Sequence, residues 1–365
     1  MQNLNKVIIL HDVDGRIYFD AIQKLKDNEK IESIDFKETS VVKRLIRALI
    51  RRENIYGEIK KGVNNFLFRL KLPFIKNYVI IFGIAPYDIR FIFYSILVLR
   101  NKVVYHTSWP YWWGGDVPRP NKPFTSISIF LFKKILGHKN FEYVGLTRPV
   151  SDSFSQGIKK NKVHKIHTIP HAVNLNLFKC ECVNNIRSGK IKILYVGRMV
   201  KEKGIYEISE LINRLDESKY SFSFVGSGVE ENNLKEKLKN KNNVEFFGHL
   251  SDKVKLSNLF KQHNILLLPS KKVAGWEELF GMVVIEAMAS GLLVIASNHI
   301  GPRGIISHLE DGILIDDTNL ENDMYNYILN YGDNAGNYIR ENALNIADRY
   351  SLDVISQKWL EVVNG

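Results

Sequence analysis

Short apolar runs, many of them continuous stretches of Val, Ile, Leu and Phe, constrain this chain more than any other feature. They fall at residues 7–10, 78–82, 103–105, 143–146 and 163–169 in the first half. In the second half they fall at 191–196, 222–225, 244–247, 265–268, 292–295 and 313–315. A strand with one wet face alternates apolar and polar residues, whereas a strand covered on both faces reads as a continuous apolar run. Helical patterns lie between the runs, as at 206–215, 230–238, 253–262 and 280–289. This alternation predicts an α/β protein with parallel sheets covered by helices. At 365 residues the chain exceeds one ordinary core and suits two doubly wound domains. The alternation pauses between 173 and 190, in a stretch holding Cys180, Cys182, several Asn and a Ser-Gly. The expected organisation is a first domain over 1–175, a linker over 176–190 and a second domain over 191–348. A final helix over 349–365, started by Ser351, is expected to pack back toward the first domain. Open α/β sheets bind ligands at the carboxyl ends of their strands, so a cleft between the domains is the expected site.

Several classes are disfavoured. Apolar residues make up 45% and charged residues 25%, an ordinary globular balance without long low-complexity tracts. No apolar stretch approaches the ~20 residues of a membrane span. The start, MQNLNKVIIL, lacks a signal-peptide pattern, and two cysteines one residue apart are poorly placed for a mutual disulfide. A cytoplasmic protein is expected. The net charge of +12 is uneven: residues 41–76 hold ten basic residues against Glu53 and Glu58, which is +8 of the +12. Within it Val42, Leu45, Ile46 and Leu49 share a helical face, with Lys43, Arg47 and Arg51 on another and Arg44 and Arg52 beside them. A basic amphipathic helix reads as a membrane-surface element. A solvated helix face and a nucleic-acid patch are the other readings. Nucleic acid is disfavoured because no recognition module accompanies the charge.

Two motifs carry candidate chemistry. Gly197-Arg198-Met-Val-Lys-Glu-Lys203-Gly204 follows the run 191–196 and precedes a helix. Such turns present backbone N–H groups to anions, and Arg198 and Lys203 add positive charge. A plain basic glycine turn is the other reading. The second motif is Glu278-Leu-Phe280-Gly281-Met282-Val283-Val-Ile-Glu286. Gly281 opens an apolar helix, and the N–H groups of Gly281–Val283 are free to meet a diphosphate. Glu286, further in, suits a ribose hydroxyl pair, and Glu278 suits sugar hydroxyls or charge at an anomeric carbon. Both glutamates could instead be solvated helix-end charges, but the apolar neighbours of Glu286 predict burial, and a buried carboxylate needs a partner.

In order and spacing these motifs resemble the large retaining family of GT-B glycosyltransferases usually called family 4. The resemblance covers 191–315. It includes Phe224-Val-Gly226-Ser-Gly228, the run 244–248 and the E-x7-E pair Glu278 and Glu286. Leu293 stands where the family commonly has proline. In the first half Ile169-Pro-His171-Ala-Val-Asn174 looks like the family's closing strand and turn. His106 occupies the place of a histidine found near the reaction centre, although a structural histidine at a strand end fits equally. The family's glycine-rich first loop is reduced to Gly15.

The resemblance implies two Rossmann-like domains facing a central cleft. Gly197, Arg198, Lys203, Gly226, Phe280, Gly281, Met282, Val283 and Glu286 would bind the donor, and His106 and Glu278 would serve catalysis. On the acceptor side the expectation is Gly15 and the aromatic loop of Trp109 and Tyr111, which runs to Trp113; packing of the loop on itself is the alternative. The implied activity is transfer of a sugar from a UDP- or GDP-sugar, with retention, to a saccharide or polyprenyl-linked acceptor at the cytoplasmic face of the inner membrane. No cofactor and no metal are expected. Asp12-Val-Asp14 mimics a phosphatase or metal-binding triplet but lacks the accompanying motifs. A nucleotide-sugar epimerase and a non-catalytic sugar-nucleotide-binding protein remain alternatives; the basic segment speaks against the first and the four charged donor-side residues against the second.

Overall fold

The eleven apolar runs, with one further strand, form two six-stranded sheets, all of whose pairings are parallel. The structure is a computed structural model that describes residues 4–40, 46, 49–50, 55–112, 125–157, 165–181, 183, 189–274 and 276–365. Lys43, Arg44, Arg47, Arg51 and Arg52 of the expected membrane helix, with Trp113 and Cys182, lie outside the described residues. The chain divides into two compact units, one of Met1–Ala172 with Ile355–Gly365, the other of Val173–Val354.

In the first unit β1 (Lys6–His11), β2 (Ser33–Glu38), β3 (Tyr78–Gly83), β4 (Lys102–Thr107), β5 (Phe141–Gly145) and β6 (Ile166–Thr168) lie in the order β2-β1-β3-β4-β5-β6. The central strands are buried on both faces: Val7–Leu10, Val79–Phe82 and Val103–Tyr105 are all at most a few per cent exposed. Strand β2 has no counterpart among the runs read from the sequence. It is an edge strand, SIDFKE, whose residues are only half-buried, so it shows no apolar run. The core over one face is aromatic. Phe82, Phe91, Tyr105, Phe132, Tyr143 and Phe154 are all fully buried there, with Trp112 wedged among them. The final helix, Leu352–Asn364, supplies Ile355, Trp359, Val362 and Val363 to this unit. Its start is capped by Ser351 Oγ, which accepts the Val354 N–H at 3.2 Å.

In the second unit β7 (Ile191–Val196), β8 (Tyr220–Val225), β9 (Val244–Gly248), β10 (Ile265–Leu268), β11 (Leu293–Ser297) and β12 (Ile313–Ile315) lie in the order β12-β11-β10-β7-β8-β9. The chain runs outward from β7 to β9, then returns to place β10 on the other side of β7. This reversal leaves a crevice beyond the carboxyl ends of β7 and β10, where doubly wound sheets accept ligands. The helix Met282–Ala289, which follows β10, is nearly all core: Val284, Ile285, Ala287 and Met288 are fully buried. In the first unit the corresponding reversal falls between β1 and β3. No helix among the described residues is long and apolar enough to cross a membrane.

Candidate functional site

The crevice of the second unit is built from loops that leave β7, β8, β10 and β11. The first two are laced together. Gly197 N–H donates to Val225 O at 2.9 Å, Met199 N–H to Ser227 O at 3.0 Å, and Glu230 N–H to Met199 O at 3.1 Å. Gly226 sits at φ 130°, and a Cβ there would lie 1.9 Å from Gly197 O. Only a residue without a side chain both adopts this backbone and lets the loops close. Gly204 does the same on the other flank. Its φ is 70°, and a Cβ would fall 1.8 Å from Pro269 O, in the loop after β10.

Two of the predicted residues, 75 positions apart, meet in the crevice. Lys203 Nζ donates to Glu278 Oε2, and both side chains are mostly buried. Ser270 Oγ donates to the same oxygen at 3.3 Å. The Lys203 ammonium also lies 5.2 Å from the ring centre of Trp276, a cation–π contact. Glu278 is further held through its backbone. Its N–H donates to His299 Nδ1 at 3.1 Å, so that nitrogen is the acceptor and Nε2, 3.4 Å from Asp317 Oδ2, carries the proton. Its carbonyl accepts the Gly301 N–H at 3.0 Å. His299, Asp317, Ser270 and Trp276 did not emerge from the sequence. Each is an isolated polar or aromatic residue in a loop, and only the fold brings them to Glu278.

Arg198 is exposed, and no described residue accepts from its guanidinium; its carbonyl is fixed by Tyr195 Oη at 2.7 Å. Gly281 caps the helix Met282–Ala289, whose first N–H groups open into this region, with Phe280 buried just ahead of it. Glu286 lies one and a half turns along. Its carboxyl has no hydrogen bond to any described residue, and burial pushes its pKa up to about 7, with the charge of Lys253 pulling the other way. The second unit therefore gathers Gly197, Arg198, Lys203, Gly226, Glu278, Phe280, Gly281, Met282, Val283 and Glu286 around the carboxyl ends of β7, β8 and β10. The chemistry on offer is anion binding by a free guanidinium and helix N–H groups, beside a glutamate whose carboxylate is held by Lys203 and Ser270 and whose backbone is held by His299 and Gly301.

His106, Gly15, Trp109 and Tyr111 belong to the first unit. His106, at the end of β4, is buried against Phe19, His171 and Trp359 with ring centres 4.9, 5.5 and 5.5 Å away. Burial holds its pKa well below the ordinary histidine range, helped by His171 and His11, and burial also pushes His171 down to about 3. The ring is therefore neutral at physiological pH. Gly15 starts a short 3-10 turn after β1 and accepts from the N–H groups of Tyr18 and Phe19. The aromatic loop folds largely on itself. Trp109 Nε1 donates to Tyr111 O at 2.7 Å and Trp112 Nε1 to Trp109 O at 2.9 Å, while Trp112 is a core residue.

Two doubly wound units, each with its own reversal, define the fold of the GT-B glycosyltransferases. The chain superposes on Anabaena Alr3699/HepE, solved in complex with UDP, with a TM-score of 0.66 at 15% identity, covering 99% of this chain and 100% of that one. Residues 181–339, somewhat less than half of the chain, match the family model of glycosyl transferases group 1. A 41.2 kDa protein of the cps region of Klebsiella pneumoniae is 35% identical over 166 residues, which is 44% of this chain and 43% of that protein. Poly(ribitol-phosphate) alpha-N-acetylglucosaminyltransferase of Staphylococcus aureus is 27% identical over 252 residues, 62% of this chain and 49% of that enzyme. The chain thus spans less than half the length of either relative.

Proposed function

We propose that this protein is a retaining glycosyltransferase of family 4. It transfers a hexose or related sugar from a UDP- or GDP-sugar to a saccharide acceptor carried on a membrane lipid, in surface polysaccharide assembly. The observation that carries the reading is the Lys203–Glu278 pair in the β7/β10 crevice, beside the unpaired Arg198 and the start of the helix Met282–Ala289. The cps-region relative and the UDP-bound neighbour support the pathway and the donor class.

In this reading Arg198 and Lys203 receive the diphosphate and stabilise its charge as the glycosidic bond breaks. Glu286 takes the ribose hydroxyls. Glu278, oriented by Ser270 and the His299–Asp317 pair, holds the transferred sugar. His106, kept neutral, accepts or donates a hydrogen bond without competing for the phosphate as a cation. The acceptor oxygen bonds to the anomeric carbon on the face that the diphosphate leaves, the hydroxyl proton passes to the departing phosphate oxygen, and the reading uses no metal ion. The basic segment around Lys43, Arg44, Arg47, Arg51 and Arg52 serves attachment to an anionic membrane surface.

The test is a thermal-shift titration with UDP, GDP and ADP. Either UDP or GDP raises the melting temperature by mass action, and Arg198→Ala needs at least about tenfold more nucleotide for the same rise. A protein that responds to none of the three has no preformed donor site and refutes the reading.

A further inference from the structure

The helix Ile55–Lys71 packs on the first unit through Glu58, Asn65 and Phe68, which are buried. Tyr56, Ile59, Val63, Phe66 and Leu70 recur at spacings of three and four, so they form one stripe roughly opposite that buried face. All five are exposed, Tyr56 by 81% and Phe66 by 60%. The apolar surface continues beyond the helix. Phe74, in the short turn that ends it, is 79% exposed, and Phe93, half exposed, lies under the Arg69 guanidinium. Single exposed apolar residues are ordinary, but an ordered row of large ones marks an interaction surface.

The charge around the stripe selects its partner. The one acidic residue of the helix, Glu58, is buried and paired with Lys61. Lys60 and Lys71 flank the stripe, are exposed, and have no described acidic partner. A second copy of this face would bring like charges together. An anionic lipid surface would neutralise them while its acyl region takes up the aromatic and aliphatic side chains.

We propose that the outward face of the helix Ile55–Lys71, with Phe74, is a bilayer-docking surface that inserts its apolar stripe between anionic headgroups. The inference builds on the membrane-carried acceptor of the proposed function, yet it concerns a helix outside the donor crevice and is read by a separate measurement.

The experiment is co-sedimentation of the full chain with phosphatidylcholine vesicles, with and without about 30% phosphatidylglycerol. Thermal shifts induced by UDP and by GDP, and molar mass by light scattering, are recorded on the same samples. The wild type sediments with the anionic vesicles and is released by salt. Phe66→Ser/Leu70→Ser weakens partitioning by roughly tenfold or more, and Lys60→Glu/Lys71→Glu by at least about fivefold for each lysine. Both variants melt as the wild type does. Wild-type protein that ignores the vesicles, or variants that sediment unchanged, overturn the proposal. A wild-type dimer that Phe66→Ser/Leu70→Ser splits overturns it in favour of self-association. Loss of the nucleotide response with vesicle binding intact would count against the transferase reading and leave the docking surface standing.

Discussion

Replacing Glu286 by glutamine tests the energetics of the donor crevice before any substrate is involved. The carboxyl sits on a helix whose neighbours Val284, Ile285, Ala287 and Met288 are fully buried, and no described residue donates to it. Burial raises its pKa from the usual 4.5 to about 7, which corresponds to roughly 3 kcal/mol against the ionised form. The sign follows from proton counting. Between these two values the folded protein keeps a proton that the unfolded chain has released, so stability falls as pH rises from about 4.5 to about 7 and levels off above. Glutamine keeps the shape and removes the charge. The variant should match the wild type near pH 4 and exceed it by up to about 3 kcal/mol at pH 8. Urea melts of the nucleotide-free protein across that range read the difference directly. A ribose whose hydroxyls donate to the ionised carboxylate offsets the cost, so UDP binding below pH 7 should release a proton, and affinity should rise with pH in the wild type only. Calorimetry in two buffers of different ionisation enthalpy counts that proton. If the glutamine variant is less stable than the wild type at pH 8, the carboxylate is ionised and satisfied in the free protein, and the reasoning is refuted.

Gly226→Ala should be far costlier than an ordinary surface change. The added Cβ meets Gly197 O at 1.9 Å on a backbone at φ 130°, so the loops after β7 and β8 must part. A loss of roughly 2–4 kcal/mol in urea melts, together with loss of the nucleotide response, is expected. Lys203→Met leaves the Glu278 carboxylate mostly buried with only the Ser270 hydroxyl and should cost about 3–5 kcal/mol. Lys203→Met/Glu278→Gln should recover much of that, and strictly additive losses in the double-mutant cycle would show that the pair is not coupled.

The sequence made the sheets legible where strands are largely buried, because such strands read as mostly apolar runs with few polar interruptions. Strands β7, β10 and β12 match their runs residue for residue. Strand β2 escaped because an edge strand with half-buried residues has neither a continuous run nor a clean alternation. Arg198, Lys203, Glu278 and Glu286 stood out because they sit in two compact motifs. What pairs them did not stand out: Lys203 and Glu278 meet only because β10 returns beside β7. His299 and Asp317, eighteen residues apart, become a relay behind Glu278 only after the chain has made β11 and β12. The aromatic loop read equally well as ligand platform or as packing, and the burial of Trp112 among Phe132, Tyr143 and Phe154 shows the packing component.

The division of the chain also bears on how it is made. Residues 173–354 form the second unit, and the first unit closes only with residues 355–365, whose Trp359 packs edge-on against Phe19 and tilted against His106. At ~5–20 residues per second, a ribosome spends roughly 10–35 s on the intervening segment. During that interval the nascent first unit has all six strands of its sheet in sequence but lacks the indole that packs on His106. The second unit, contiguous in sequence, is free to fold ahead of it. Completion of the first unit therefore has to wait until the second has been synthesised, and a chaperone that shields the incomplete unit would act on the half of the protein that emerges first.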